Sequence, residues 1–299
     1  MSEIRIFKLN DKVEEIILQE SKLERQIQTI VEKNMDKFFG IKFIKSEWAI
    51  EDGRMDSIGL DENYCPVIFE YKRSQNDNVI NQGLFYLDWL LEHKADFKLL
   101  VREKLGEEAC DRVDFSAPCV ICIAGDFKNY DLHAVKQIKR NIKLVKYRMH
   151  NNDLVLFEQL NAPTTVIIDG LDNKDKGATK YAQKTHVEKL KSAPEKIKIL
   201  YREICDYIES LDDGISSNQL KYYIAYRKVQ NVFCIEVYNS YIAIRTKLDP
   251  KKNEIEDGFT RDMTGIGHYG TGDFEIELRN ESQLDATKEL IRKALDEQN

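Results

Sequence analysis

The side chains best placed to do chemistry are an aspartate, a glutamate and a lysine within one short β-prone stretch. Asp56 lies in residues 55–60, where apolar and polar residues alternate, and this alternation predicts a strand. Residues 67–71 are apolar and β-prone, with Glu70 near their end and Lys72 just beyond it. Because side chains two apart on a strand share a face, Glu70 and Lys72 are predicted to project together.

A turn centred near Asn63 would place these strands in an antiparallel hairpin with Asp56 opposite Glu70. Their Cβ atoms would then be ~5 Å apart, and like charges in that position destabilise a strand pair. A divalent cation removes this cost, since Mg²⁺ binds one or two carboxylates together with water. The sequence therefore predicts a metal-binding carboxylate pair, and the alternative is a strand end at which Lys72 simply neutralises Glu70.

The order of these residues resembles the PD-(D/E)XK nuclease superfamily. Asp56 precedes a turn, and the run Glu70-Tyr71-Lys72 follows it. Residues 82–86, Gln-Gly-Leu-Phe-Tyr, are similar to the QxxxY element of the RecB-like branch. Met55 stands where the superfamily label has proline, a departure shared by many members.

A glutamate upstream extends the resemblance to NucS-type endonuclease domains, over roughly residues 20–125. The resemblance implies a restriction-endonuclease-like fold and a Mg²⁺- or Mn²⁺-dependent endonuclease that hydrolyses DNA phosphodiester bonds, in repair or in defence against foreign DNA. It implies that Asp56, Glu70 and Glu24 bind the metal. Lys72 would hold and help deprotonate the attacking water or stabilise charge on the phosphorane, and Gln82 would orient Lys72 or a metal-bound water.

The upstream glutamate is expected on a helix over residues 21–38, whose apolar residues recur at helical spacing. The helical wheel places Glu24 beside the apolar stripe, and it places Glu32 on the polar face with Gln28. The alternative for Glu24 is structural, because Ser21 and Glu24 have the spacing of a capping box.

A second helix is expected over residues 79–92. Its core stripe is apolar, and Gln82 and Tyr86 belong to a semi-polar stripe beside it. Gln82 could then face the same cleft as Lys72, with Tyr86 one turn on as a structural or substrate contact. The alternative is a surface glutamine and a half-buried tyrosine.

Two cysteines with CxxC spacing, Cys119 and Cys122, lie in an apolar run that predicts a buried strand. Positions three apart on a strand face opposite sides, so packed thiols are favoured over a zinc or redox site.

Composition limits the class of protein. The chain has 299 residues, 42% of them hydrophobic, and a formal net charge of -7, which argues against a coating of nucleic-acid-binding charge but not against a local basic face. No apolar run approaches the ~20 residues that span a bilayer, and the first residues do not have the pattern of a signal peptide. Six cysteines without secretion signals fit a reducing cytoplasm, so we expect a cytoplasmic protein without a membrane partner.

The pattern predicts an α/β nuclease-like domain over residues 1–165, a linker over 166–184 and a smaller α+β domain over 185–299. The predicted linker is rich in Gly, Asp and Lys, and the last domain reads as helix, antiparallel strands, helix. Residues 265–273 contain Gly-His-Tyr-Gly-Thr-Gly-Asp and resemble the signature of an uncharacterised domain that accompanies such nuclease domains. This loop lies between predicted strands, so glycine turns are favoured over a phosphate-binding loop.

Two classes of function stay open at this point. The first is the metal-dependent nuclease, with nucleic acid, and specifically DNA, as its expected partner. The second is a non-catalytic module that binds nucleic acid or protein and retains a nuclease fold. The sequence leaves the oligomeric state open, with a homodimer among the possibilities.

Overall fold

The computed structural model describes residues 5–9, 13–19, 24–72, 79–151, 153–161, 183–212 and 214–298. Two six-stranded sheets organise these residues, one mixed and one antiparallel, and each has helices packed against it. This arrangement confirms the predicted fold class, a mixed α/β unit with a smaller α+β unit after it.

The mixed sheet has the strand order β3-β4-β5-β6-β7-β8. Its three central strands, β5 to β7, run parallel, and the flanking pairs are antiparallel. A separate two-stranded hairpin, β1-β2, precedes it. The strands are β1 (Ile6–Leu9), β2 (Val13–Ile16), β3 (Ile41–Ile50), β4 (Gly53–Asp61), β5 (Pro66–Lys72), β6 (Cys119–Ala124), β7 (Asn141–His150) and β8 (Leu154–Gln159).

Helices cover both faces of the mixed sheet. They are α1 (Glu24–Lys33), α2 (Met35–Phe39), α3 (Val79–Glu92), α4 (Lys94–Leu105), α5 (Glu107–Arg112) and α6 (Asn129–Gln137). The first two helices pack Ile27, Val31 and Met35 against the face of β5 that carries Phe69 and Tyr71. The other helices bury a larger apolar cluster on the opposite face. Neighbouring side chains on β5 point alternately into these two apolar clusters, so polar side chains are accommodated only at the end of the strand.

The prediction of one continuous helix over residues 21–38 is wrong. It is two helices with a break at Asn34, whose side-chain amide donates a hydrogen bond of 2.9 Å to the Ile30 carbonyl. Asparagine competes for backbone hydrogen bonds in this way and so favours helix ends. Ser21, the predicted capping residue, lies outside the described residues.

The antiparallel sheet has the strand order β13-β14-β12-β11-β10-β9. Its elements are α7 (His186–Ser192), α8 (Glu195–Leu211), β9 (Ser216–Gln219), β10 (Ile224–Arg227), β11 (Asn231–Val237), β12 (Ile242–Thr246), β13 (Thr260–Asp262), β14 (Phe274–Leu278) and α9 (Leu284–Asp296). Helices α8 and α9 bury one face of this sheet over Ile235, Ile244 and Ile276. The first two strands of this sheet are short, since β9 ends at Gln219 and β10 spans only Ile224–Arg227.

A buried polar contact joins the two units at the turn between β4 and β5. Arg227 donates to Asp61 over 2.9 Å, and both side chains are nearly inaccessible to solvent. Beside them, the Tyr223 hydroxyl donates to the Asn63 amide oxygen over 2.9 Å. The hairpin predicted to carry the site is therefore held at its turn by the second unit.

The predicted linker lies almost entirely outside the described residues, which resume at Gln183. Within the described part of the chain, no helix is both long and apolar enough to cross a bilayer.

Candidate active site

The site is built on the hairpin of β4 and β5, whose register is centred on Asn63. Cross-strand pairing runs from Leu60 opposite Pro66 to Ser57 opposite Phe69, so Asp56 and Glu70 follow directly at the open end. There, hydrogen bonds from backbone N–H groups to side-chain carboxylates replace the backbone–backbone hydrogen bonds of the strand pair. The Asp56 N–H donates to the Glu70 carboxylate over 3.3 Å, and the Tyr71 N–H donates to the Asp56 carboxylate over 2.9 Å.

The Asp56 and Glu70 carboxylates lie close together with little charge compensation. Glu70 is 1% exposed. Burial, and then the neighbouring charge of Asp56, raises the pKa of Glu70 to about 9. Burial also raises the pKa of Asp56, against the hydrogen bond from Tyr71 that lowers it. Without a cation, Glu70 therefore holds a proton at neutral pH.

Lys72 projects from the end of β5 toward helix α1. Its ammonium lies 3.5 Å from the Glu24 carboxylate, with 17% of the lysine side chain exposed. Burial lowers the pKa of Lys72, but the carboxylates of Glu24, Asp56 and Glu70 outweigh this effect and raise it overall. Lys72 is thus an ammonium at neutral pH, and the first turn of α1 brings Glu24 to the site.

Glu32 does not lie on a solvent-facing side of the helix, so that prediction is wrong. One Glu32 oxygen accepts hydrogen bonds from the Ser46 hydroxyl at 2.7 Å and the Ser57 hydroxyl at 2.6 Å. It also accepts from the Gln28 amide at 3.0 Å, and Gln28 is buried. The polar stripe beside the apolar one faces the sheet, because serines on β3 and β4 supply hydrogen-bond partners for it.

Gln28, which the helical wheel places on the polar face, contacts the backbone of the site. Its amide donates to the backbone carbonyl of Asp56 over 3.1 Å and to the Glu47 carboxylate over 3.1 Å. Glu47 has a φ of 52° and pairs with Arg54 at 2.8 Å. A non-glycine residue in the left-handed region is uncommon and marks a local irregularity in β3 next to Asp56. The sequence carries no local signal for this contact, because its partners lie on separate elements.

Gln82 and Tyr86 both lie on α3 but have different surroundings. Gln82 is exposed, and the described residues form no hydrogen bond with it; the ion-pair partner of Lys72 is Glu24 instead. Tyr86 is buried under the turn into β4, where its hydroxyl accepts from the Arg54 N–H over 3.3 Å. A Cβ on Gly53 would lie 2.9 Å from the Tyr86 ring, so this tyrosine supports the turn that leads to Asp56.

The donor set suits a cation that needs few protein ligands. Within the described residues, no group of three or more His, Cys, Asp or Glu side chains is placed to hold a metal ion. The two adjacent carboxylates of Asp56 and Glu70 nevertheless match the usual protein contribution to Mg²⁺, one or two carboxylates completed by water. Burial is the main cause of the raised pKa of both acids, and Lys72 offsets it only in part.

The two cysteines of the CxxC spacing are buried on β6 as free thiols. Burial raises the pKa of Cys119 to about 11 and that of Cys122 still further. Both therefore stay protonated at neutral pH, and a thiolate is the form that binds zinc or reacts.

An uncharacterized protein from Haemophilus influenzae is 30% identical to this chain over 287 residues, which is 93% of this chain and 94% of that protein. This chain belongs to the same family. No protein-family model matches it.

Two solved structures match part of the chain. One is a repair endonuclease from Pyrococcus abyssi, 17% identical, with a TM-score of 0.27 over 42% of this chain and 48% of that one. The other is an EndoMS–dsDNA complex, 14% identical, with a TM-score of 0.27 over 48% of this chain and 64% of that one. This chain covers less than two thirds of either structure, and a TM-score at this level carries no argument about fold or function.

Proposed function

We propose that this chain is a metal-dependent nuclease of the PD-(D/E)XK type that hydrolyses DNA phosphodiester bonds. The observation that carries the proposal is the buried, uncompensated carboxylate pair of Asp56 and Glu70, with Lys72 at the end of the same strand. Perturbed carboxylates beside a fixed lysine are typical of functional sites rather than of strand ends. DNA is the proposed substrate because the order of these residues resembles that superfamily.

Asp56 and Glu70 would hold Mg²⁺ or Mn²⁺, and Glu24 lies close enough to Lys72 to complete the polar site directly or through water. When bound, such an ion would supply a more acidic water and neutralise negative charge on the phosphate. Glu70 would give up its proton when the cation binds, because an adjacent positive charge lowers a carboxyl pKa.

Lys72 is proposed to stabilise negative charge rather than to act as a base. Its pKa is raised, so it carries a proton at neutral pH and can donate hydrogen bonds to a phosphate oxygen as charge develops. Glu24 holds the ammonium at the end of β5, and Tyr86 supports the turn into β4 from below. Gln82 is exposed, and its proposed role is to contact substrate or a metal-bound water.

The test is cleavage of a panel of end-labelled single-stranded, duplex, branched and mismatched DNAs with Mn²⁺ or Mg²⁺. We expect metal-dependent cleavage that falls by at least ~100-fold in Asp56→Asn, Glu70→Gln and Lys72→Met. The matched controls are Lys288→Met and Glu203→Gln, which break an ion pair of 2.9 Å in the second unit. These controls should cut like the unaltered protein.

Two results would count against the proposal. Cleavage that persists in both carboxylate variants would show that the nuclease activity lies elsewhere or in a contaminant. DNA binding that is indifferent to Glu70→Gln, with no cleavage of any substrate, would make the chain a binding module that retains the fold.

A further inference from the structure

A cavity of about 340 Å³ lies on the antiparallel sheet, on the face opposite α8 and α9. Its floor is formed by Glu236, Arg245 and Glu275, which are neighbours across β11, β12 and β14. The glycine-rich loop between β13 and β14 supplies the side formed by residues 266–269. None of these residues belongs to the candidate active site.

The charges on the cavity floor cancel one another. Arg245 contacts the Glu236 carboxylate at 3.1 Å and the Glu275 carboxylate at 2.7 Å, and all three side chains are at most 3% exposed. Arg261 lines the same cavity, 48% exposed and 3.7 Å from Glu275. Lys189 adds a contact of 2.6 Å to Glu236, and Arg261 also lies 3.6 Å from Glu277, so each carboxylate at the floor has a cationic partner and the cavity does not favour a bare phosphate or a metal ion. It favours a neutral ligand that has hydrogen-bond donors and acceptors side by side.

The floor also has unused hydrogen-bonding capacity. Arg245 Nε is buried and has no hydrogen-bond partner among the described residues. A buried polar atom without a partner is costly, and it leaves the arginine with one donor that the two carboxylates do not use. Each carboxylate can accept more hydrogen bonds than the arginines supply. Ion pairing fixes these groups, which keeps them oriented for a ligand.

Two stacked tyrosines line the cavity. Tyr238 and Tyr241 stack on each other with centroids 4.7 Å apart, and Lys189 and Arg279 lie over the two rings at 5.1 Å and 4.6 Å. Since their faces are occupied, these rings can offer only edges and hydroxyls to a ligand. The apolar parts of the wall come from Met263 and Ile266 on the loop side.

We propose that this cavity binds a single nucleobase. A base is a neutral, planar heterocycle whose edge alternates donors and acceptors. Glutamate accepts from its amino groups, and arginine donates to its carbonyl and ring nitrogen. The volume is at the small end of ligand cavities, which suits one base rather than a larger ligand. The choice of a nucleobase among small polar heterocycles rests on the proposed nuclease function.

The cavity loop is linked to the hairpin of the candidate active site through Asn231 on β11. Thr271 on the loop accepts from the Asn231 amide over 3.2 Å, and Asn231 also pairs with Asn63 at the turn between β4 and β5. A Cβ on Gly270 would lie 2.5 Å from the Cys234 side chain, so only glycine lets the loop lie this close to the sheet. A base bound in the cavity would therefore contact the same unit that holds the turn between β4 and β5, the hairpin that carries Asp56 and Glu70.

The test measures binding with two probes on the full chain. The first is the set of four deoxynucleosides, followed by ligand-observed NMR. The second is a duplex with one 2-aminopurine, whose fluorescence rises when the base leaves the stack. Arg261→Ala removes a donor, and Gly267→Leu adds bulk at the cavity wall, where an added Cβ meets open space. Arg202→Ala is the matched control, an exposed arginine paired with Glu195 at 3.0 Å on α8.

We expect both cavity variants to weaken binding by about tenfold or more and the control to change it little. A response to free nucleosides with this pattern assigns a soluble base, and a response of the duplex probe alone assigns a base extruded from DNA. No response to either probe, or an equal response in Gly267→Leu, would overturn the proposal. If the unaltered protein binds a base here but shows no metal-dependent cleavage in the DNA panel, the result would count against the nuclease function alone.

Discussion

The two sheets both bury carboxylates at a polar face, but they compensate the charge in opposite ways. On the antiparallel sheet, Glu236 and Glu275 lie on either side of Arg245, and Lys189 adds a contact of 2.6 Å to Glu236. On the mixed sheet, Asp56 and Glu70 accept backbone N–H groups, while the neighbouring cation Lys72 pairs with Glu24. The first arrangement is electrically complete, and the second is not.

The difference bears on the component that we propose for each unit, a cation for one and a neutral ligand for the other. Buried charges are tolerated when partners and hydrogen bonds replace their hydration. The antiparallel sheet supplies those partners from its own side chains, so its cavity is left to a neutral ligand. The mixed sheet leaves Glu70 protonated at neutral pH instead, because burial and the charge of Asp56 outweigh the nearby charge of Lys72. A divalent cation would supply further positive charge.

The largest change in stability is expected on the antiparallel sheet, where the buried carboxylates have cationic partners. Arg245→Leu should lower the free energy of unfolding by ~3–5 kcal/mol, because it leaves Glu236 and Glu275 buried without their shared partner. Urea denaturation of the full chain measures this loss. The control Arg202→Leu removes an exposed arginine and should change stability by less than ~0.5 kcal/mol. Equal stability of the two variants would mean that the charges are not compensated through Arg245.

The second expected effect is a gain in the free energy of unfolding when Glu70 is replaced, and its size depends on pH. Because the pKa of Glu70 is raised from 4.5 to about 9 on folding, the folded chain binds one more proton between those values. Stability from this group is full below pH 4.5 and is lost as the pH rises toward 9, by up to ~1.4 kcal/mol per pH unit. In EDTA, Glu70→Gln should remove this slope and stabilise the protein at pH 8.

Thermal denaturation across pH 5 to 8.5, with and without Mn²⁺, measures that prediction. Mn²⁺ should flatten the slope of the unaltered protein, because the cation replaces the proton on Glu70. Glu158→Gln, on β8, is the control and should keep the slope. An unchanged slope in Glu70→Gln would mean that the proton is held by another group.

The hairpin could be read from the sequence because its signals are local. Alternation on one strand, an apolar run on the other and a polar turn between them were enough to centre the turn on Asn63. That register puts Asp56 beside Glu70, and the structure places their side chains and backbones in hydrogen-bond contact. The longer strands of the antiparallel sheet were predictable in the same way, but the short strands β9 and β13 were not.

The surroundings of the hairpin could not be read, because they depend on partners far along the chain. Glu32 belongs to a polar stripe on the helical wheel, but serines on two strands turn that stripe toward the sheet. The Asp61–Arg227 ion pair joins residues of different units and has no local pattern. The predicted nuclease-like domain, residues 1–165, would expose Asp61 without Arg227 if it were produced alone.

The smallest effect distinguishes two glutamates of one helix, Glu24 and Glu32. Glu32→Gln should lower the free energy of unfolding by ~1–2 kcal/mol, because three hydrogen bonds converge on one carboxylate oxygen. Glu24→Gln should change stability by less than ~0.5 kcal/mol, since the side chain is 38% exposed and its ion pair with Lys72 is long at 3.5 Å.

Cleavage activity should rank these two variants the other way round. Glu24 contacts the ammonium of Lys72, whereas Glu32 contacts serines on β3 and β4 and reaches Asp56 only through Gln28. Glu24→Gln should therefore reduce metal-dependent cleavage more than Glu32→Gln, when both are assayed below their melting temperatures. A larger loss in Glu32→Gln at equal folding would move the functional contact to the Gln28 network. A fall in melting temperature in Glu24→Gln with activity intact would give Glu24 a purely structural role, as the capping alternative predicts.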